Sequence, residues 1–259
     1  MFTADTQSFG ACGRDVWVVK TSSTGVVQWE RTYGGTGWDM PESIQTCTDG
    51  GYIVGAYTDS FGAGDEDFWV IRLDSDGLLE WQYTYGGEDP DYLADFKTTS
   101  DGGYVMTGWS YSYYQLLYGG YADNDAWVVK LDATGQIDWQ RCYNKPYEDS
   151  GEIINAPDWA NSIAQAEDGG FVVFGLAHDL DYSRNDDFWV FKIDSLGMLG
   201  CDIGEASTAV PDDFALVIVS NEANPYEVYD TVDSAQTPAG SVFNTTADVF
   251  TQCEIPEAP

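Results

Sequence analysis

The chain has 259 residues, with 44 acidic against 10 basic side chains and a formal charge of -34. A surface of that sign repels phosphate backbones and anionic lipid, and no stretch approaches the roughly 20 apolar residues of a membrane helix, so nucleic acid partners and membrane insertion are excluded as expectations. Glycine (28) and aromatics (10 Trp, 17 Tyr, 12 Phe) are abundant, while no segment repeats apolar residues at helical spacing, which predicts an all-β protein.

In chain order, DVWVVK from residue 15 and VQWERTY from residue 27 flank the turn TSSTG and predict a hairpin ending near residue 35. By register with later units, Met1 falls where Ile53 stands, inside a strand. Residues 1 to 20 also lack the basic and apolar layout of a signal peptide, so the reading anticipates a processed or truncated product without its leader and first strand. Residues 36 to 87 give the full pattern of four short strands: ESIQTCT, a DGG turn, GYIVGAYT, a loop ending in Asp, FWVIRLD, a DSDG turn and LLEWQYTY. Two tight Asp/Gly turns make two hairpins, because Gly supplies the positive φ that such turns need. Residues 88 to 143 repeat the pattern around an insertion, WSYSYYQLLYGGYADND. Residues 144 to 204 repeat it again until DSLGMLGCDIG, where Cys201 replaces the expected Trp. In the tail, 205 to 259, FALVIVS, YEVYDTV and SVFNTTADVFTQ are separated by the turn signals VPDD, NPYE and QTPAG.

Three series of markers run through these units in constant order. Trp17, Trp69, Trp127 and Trp189 recur at roughly 50 to 60 residues, a period of propellers and arrays. Trp29, Trp81 and Trp139 follow at one fixed offset, and DGG recurs at 49, 101 and 168. In FWVIRLD, Trp69, Ile71 and Leu73 share one face and Phe68, Val70 and Arg72 the other, so the strand is expected between two neighbouring units. These seven tryptophans are expected to be structural: burying one indole contributes roughly 4 to 6 kcal/mol gross. Lys20, Arg72, Lys130 and Lys192 also recur, each preceded at constant distance by Asp15, Asp67, Asp125 or Asp187. Two readings stand, a ring of cations lining a channel or a structural ion pair in every unit. The second is preferred, since a position repeated in every unit serves the unit.

The fold class expected is therefore an all-β, propeller-like array of four-stranded antiparallel blades, about four in number, with the N-terminal blade incomplete. Repeats of the form DxWVxKLDxxGxxxWxxTYGG…SxxxTxDGGYIVxGxT resemble those of secreted bacterial and archaeal β-propeller proteins over residues 1 to 204. LDATGQIDW is distantly similar to the tryptophan-docking motif of quinoprotein propellers. The resemblance implies a secreted or cell-surface location and a non-catalytic fold, with little said about ligands. It divides the chain into propeller repeats, 1–204 (1–35, 36–87, 88–143 and 144–204), and a tail, 205–259, that closes the ring or exchanges strands. Blade arithmetic allows the tail to supply the first and second strands missing from the N-terminal blade. The alternative is an open stack whose edge another subunit completes.

Candidate sites follow from the departures. Cys201 and Cys253 bracket the tail and are expected to pair in an oxidising compartment; Cys47 and Cys142 read as small buried residues. Acidic loops before the third strand offer Asp65, Asp67, Asp123, Asp125, Asp186 and Asp187 as oxygen ligands for calcium, against a reading in which they only cap turns. Trp109, Tyr111, Tyr113, Tyr114, Tyr118 and Tyr121 crowd the insertion and suit a protein partner or a sugar ring. Asn244 begins a glycosylation sequon. His178 is the sole histidine and no nucleophile motif surrounds it, so no enzyme is expected. The functional expectation is a structural, adhesive or self-assembling surface module whose partner is itself or another surface protein. The alternatives are a carbohydrate-binding propeller, with calcium or without a cofactor, and then a glycan-cleaving enzyme, whose two carboxylates the acidic composition would supply.

Overall fold

A computed structural model describes residues 1–8, 10, 13–112, 124–143, 147–149, 152–154, 157–178, 186–199, 221–222 and 229–230. Among them every regular element is a β-strand. The first sheet comprises β1 (Phe2–Thr6), β2 (Asp15–Thr21) and β3 (Val27–Tyr33). The second comprises β4 (Asp39–Thr46), β5 (Tyr52–Thr58), β6 (Asp67–Leu73) and β7 (Leu79–Tyr85). The third comprises β8 (Asp91–Thr98), β9 (Tyr104–Ser110), β10 (Asp125–Leu131) and β11 (Ile137–Tyr143). A short hairpin of β12 (Tyr147–Asp149) and β13 (Glu152–Ile154) precedes the fourth sheet, β14 (Asp158–Gln165), β15 (Phe171–His178) and β16 (Asp186–Ile193). The two-residue strands β17 (Asn221–Glu222) and β18 (Tyr229–Asp230) pair with β11 and β7, at the outer edges of the third and second sheets.

Each sheet is an antiparallel meander whose turns follow from sequence. In DSDG, the Asp74 carboxylate accepts the Asp76 and Leu78 N–H groups, both at 2.8 Å. The Gly77 N–H donates to Asp74 O at 3.1 Å, with Gly77 at φ 77°. Asp132 and Asp194 form the same turn in the third and fourth sheets. The first sheet has three strands, not the two read from residues 15 to 35. Phe2 stands opposite Val19 as Val54 stands opposite Ile71, so β1 is the second strand of that unit.

The sheets follow one another in chain order, with an apolar layer at each of the three junctions. Val16 and Val18 of the first sheet meet Val54, Trp69 and Ile71 of the second. Phe68 and Val70, on the opposite face of β6, meet Trp127 and Val129 of the third. Ala126 and Val128 of β10 then meet Trp189, Phe191 and Phe171 of the fourth. The two-faced apolar pattern of FWVIRLD thus places β6 between two neighbours, and Phe68 and Trp127 touch across the second junction with ring centroids 4.5 Å apart. Among the described residues no ladder joins the first sheet to the fourth.

At every junction the last strand of one sheet docks on the tight turn of the next. Trp29 Nε1 donates to Ser75 O at 3.3 Å and Trp139 Nε1 to Ser195 O at 3.0 Å. The hydroxyls of Tyr33, Tyr85 and Tyr143 donate to the carbonyls of Gly77, Gly135 and Gly197 at 2.6, 2.7 and 2.7 Å. The indoles press on those same glycines: a Cβ on Gly77, Gly135 or Gly197 would lie 2.8, 2.9 or 2.7 Å from Trp29, Trp81 or Trp139. Gly25, at the corresponding turn of the first sheet with φ 82°, has nothing within 4 Å. This difference yields a test. Gly25→Ala and Gly135→Ala both incur a left-handed backbone cost of about 1 to 2 kcal/mol, but Gly135→Ala also overpacks against Trp81 by about 1 to 3 kcal/mol. Urea denaturation should therefore give a clearly lower midpoint for Gly135→Ala, and equal midpoints would show that the indole does not grip the turn.

Candidate functional site

The recurring cations pair within their own sheets, with the DGG aspartates. Buried Arg72 contacts Asp49 through Nη2 and Glu80 through Nη1 at 3.5 Å. Lys130, also buried, lies 2.9 Å from Asp101 and 3.3 Å from Asp138, and Lys192 pairs with Asp168. Burial pushes Asp101 up, but hydrogen bonds from Thr99, Lys130 and the Gly103 N–H outweigh it and hold the carboxyl at about 2. Lys20 donates instead to Ser75 O of the second sheet at 3.0 Å and lies over the Tyr52 ring.

Asp15, Asp67 and Asp125 open the third-strand positions, where each is buried. Each has a second buried aspartate beside it in the following sheet: Asp39, Asp91 and Asp158. A backbone bond ties each pair, as Asp39 N–H donates to Arg14 O at 2.7 Å, Asp91 N–H to Glu66 O at 2.5 Å and Asp158 N–H to Asn124 O at 2.9 Å. Between Asp67 and Asp91 runs the backbone at Gly86, where a Cβ would collide with both carboxylates. Asp67 accepts the Ala63 N–H at 2.7 Å and Asp91 the Gly87 N–H at 2.8 Å. Sequence reading singled out the first aspartate of each pair and missed the second. The signal was present, since Asp39 and Asp91 follow Asp15 and Asp67 at equal spacing.

Three of the residues expected to hold calcium are described with their side chains. Asp65 is exposed, whereas Asp67 turns inward, and Asp125 is buried. Asp123 lies outside the described residues, as do the side chains of Asp186 and Asp187 on β16. Among the described residues no group of three or more His, Cys, Asp or Glu side chains gathers in a metal-binding arrangement. Cys201, Cys253 and Asn244 lie outside the described residues, and Cys47 and Cys142 are free thiols.

Of the aromatic insertion, Trp109 and Tyr111 are described, while Tyr113, Tyr114, Tyr118 and Tyr121 fall outside. Trp109 ends β9 half-buried, its ring 5.6 Å from Tyr92, and Tyr92 lies 5.3 Å from Tyr57. Tyr57, Tyr92 and Trp109 form a half-exposed row across the second and third sheets, next to the Asp67 and Asp91 junction. Tyr57 and Tyr92 were not singled out by sequence; Tyr57 holds in the second sheet the register position of Trp109 in the third, and the packing of the two sheets sets Tyr92 between them. Of the seven structural tryptophans, Trp69, Trp127 and Trp189 are buried, and Trp17, Trp29, Trp81 and Trp139 are half-buried. No protein family and no curated protein matches the chain.

Burial pushes Asp67 up to about 8, the charge of Asp91 adding to it, and burial pushes Asp91 up to about 7. Both carboxyls therefore hold protons in the folded chain at pH values where the unfolded chain, with carboxylates near 4, has lost them. Folding takes up protons in that window, so this contribution to stability is present below about pH 4 and is lost as pH rises through 7 to 8. The melting temperature should fall between pH 5 and pH 9, and Asp67→Asn, which keeps a neutral polar side chain, should flatten that slope. An unchanged slope in Asp67→Asn would assign the pH dependence to the general negative charge of the surface.

Proposed function

We propose that the chain is a non-enzymatic structural module of the cell surface or extracellular space, a propeller-like stack of blades that assembles with copies of itself. The observation that carries this reading is the use made of the repeated residues. The two tryptophan series, the turn glycines, the DGG aspartates and their cations all serve to hold a sheet together or to fix it on its neighbour, while the last sheet leaves its outer apolar face exposed at Phe188 and Val190. A contiguous apolar face of this kind marks an interaction surface. The acidic surface suits a hydrated, salt-containing medium, in which repulsion between chains is screened beyond about 8 Å. The resemblance of the repeats to secreted propellers supports the location.

The second reading is binding of a glycan, and one observation favours it: the half-exposed row of Tyr57, Tyr92 and Trp109 beside acidic side chains, a surface on which sugar rings stack. Light scattering coupled to size-exclusion chromatography, with and without EDTA, separates the two. Assembly predicts a mass that rises with protein concentration and is indifferent to the chelator. A monomer at every concentration, with soluble oligosaccharide quenching tryptophan fluorescence, would replace the first reading with the second.

A further inference from the structure

We infer that the outer face of the fourth sheet docks head to tail on the outer face of the first sheet of a second copy of this chain. The inference rests on the self-assembly reading and supplies its surfaces. Phe188 and Val190 of β16 are 64 % and 48 % exposed. With Val172 and Phe174 of β15 they form one apolar face, the Phe174 and Phe188 rings 5.7 Å apart. The matching residues of the second and third sheets, Phe68 with Val70 and Ala126 with Val128, are fully buried against the sheet that follows. At the other end of the stack, Phe2 is 46 % exposed against half-buried Trp17. These two occupy the places of Val54 and Trp69, which are buried against the sheet that precedes them. The first and fourth sheets thus present the two halves of a junction that the chain builds three times within itself.

Side-chain size matches as well. In β5, Gly55 is small because Leu93 and Phe96 of the next sheet press on it: a Cβ there would lie 2.9 and 2.8 Å from their atoms. Those residues belong to β8, the first strand of the third sheet, and no such strand is among the described residues of the first sheet. The fourth sheet carries Phe174 at the position of Gly55, as pairing shows, since Gly55 stands opposite Val70 and Phe174 opposite Val190. The added bulk of Phe174 suits a partner face on which no described strand presses. Lys192, exposed and paired with Asp168 in its own sheet, is placed to reach the copy's turn at Ser23, as Lys20 reaches Ser75 O. Described parts of the tail run elsewhere, β17 and β18 lying on the edges of the third and second sheets.

The docking indole has no counterpart in this junction, because Cys201 stands where Trp29, Trp81 and Trp139 stand. The contact is therefore weaker than the internal three, and reversible. Two different faces meet, so the association is heterologous, closing as a ring or growing as a fibre according to the rotation between copies.

Sedimentation velocity on the full chain, from low micromolar to the highest soluble concentration, tests this with Phe188→Asp and Phe2→Asp, both at exposed positions. The unsubstituted chain should associate, and each variant alone should show a dissociation constant raised about tenfold or more. An equimolar mixture of the two should recover a dimer, because one intact face of each kind remains, which also shows that both variants are folded. An oligomer that survives both substitutions overturns the assignment of these faces and leaves the self-assembly reading standing. A chain monomeric throughout overturns both.

Discussion

The interaction on which the stack depends is the grip of one sheet's outermost strand on the tight turn of the next. An indole lies flat on a turn glycine, and four residues further along a tyrosine hydroxyl donates to that glycine's carbonyl, at 2.6 to 2.7 Å in all three junctions. The turn must contain glycine for two independent reasons. Its backbone adopts a positive φ that a side chain disfavours, and the indole leaves no room for a Cβ. The grip fixes the outer edge of each junction while the two-faced apolar strands fill its middle. The paired aspartates and the backbone bond between them tie the remaining end. Each sheet is thus held by its neighbours, as in other arrays whose stability is a sum of repeat and junction terms.

Much of this was legible in the chain itself. Strand positions, turns and the two apolar faces of FWVIRLD follow from alternation and from Asp/Gly turns, which are local signals, and the structure places them where they were expected. The recurring cations were legible as a structural feature, but their partner was not. The aspartate at the start of the same strand is nearest in sequence yet stands at the strand's far end, while the DGG aspartate is brought alongside by the antiparallel register. The second member of each carboxyl pair was missed for a related reason. It belongs to the following sheet, and only the stacking of sheets unites it with Asp15, Asp67 or Asp125.

The strand at the N-terminus was legible only through register, which sets Met1 where Ile53 stands, because FTADT itself carries one large apolar residue. What makes it a strand is its pairing with β2, which no local pattern announces. The aromatic row is illegible for another reason: it spans two sheets, and only their stacking brings Tyr57 against Tyr92. Departures from a repeat therefore carry information in two ways. Cys201 breaks the tryptophan series of the last unit, and Tyr57, Tyr92 and Trp109 alter one side of the stack.

Distances between turns would show whether the sheets, gripped turn by turn, form an open stack or a ring. Spin labels at Thr24, Asp76 and Leu196 sit at one equivalent exposed position in the first, second and fourth sheets. Pulsed electron resonance on dilute protein would compare the Thr24 to Asp76 distance, between adjacent sheets, with the Thr24 to Leu196 distance. Sheets packed face to face stand about 10 Å apart, so an open stack predicts that the second distance exceeds the first by well over one such step. Equal distances would mean that the first and fourth sheets are neighbours in a closed ring, not the two ends of a stack.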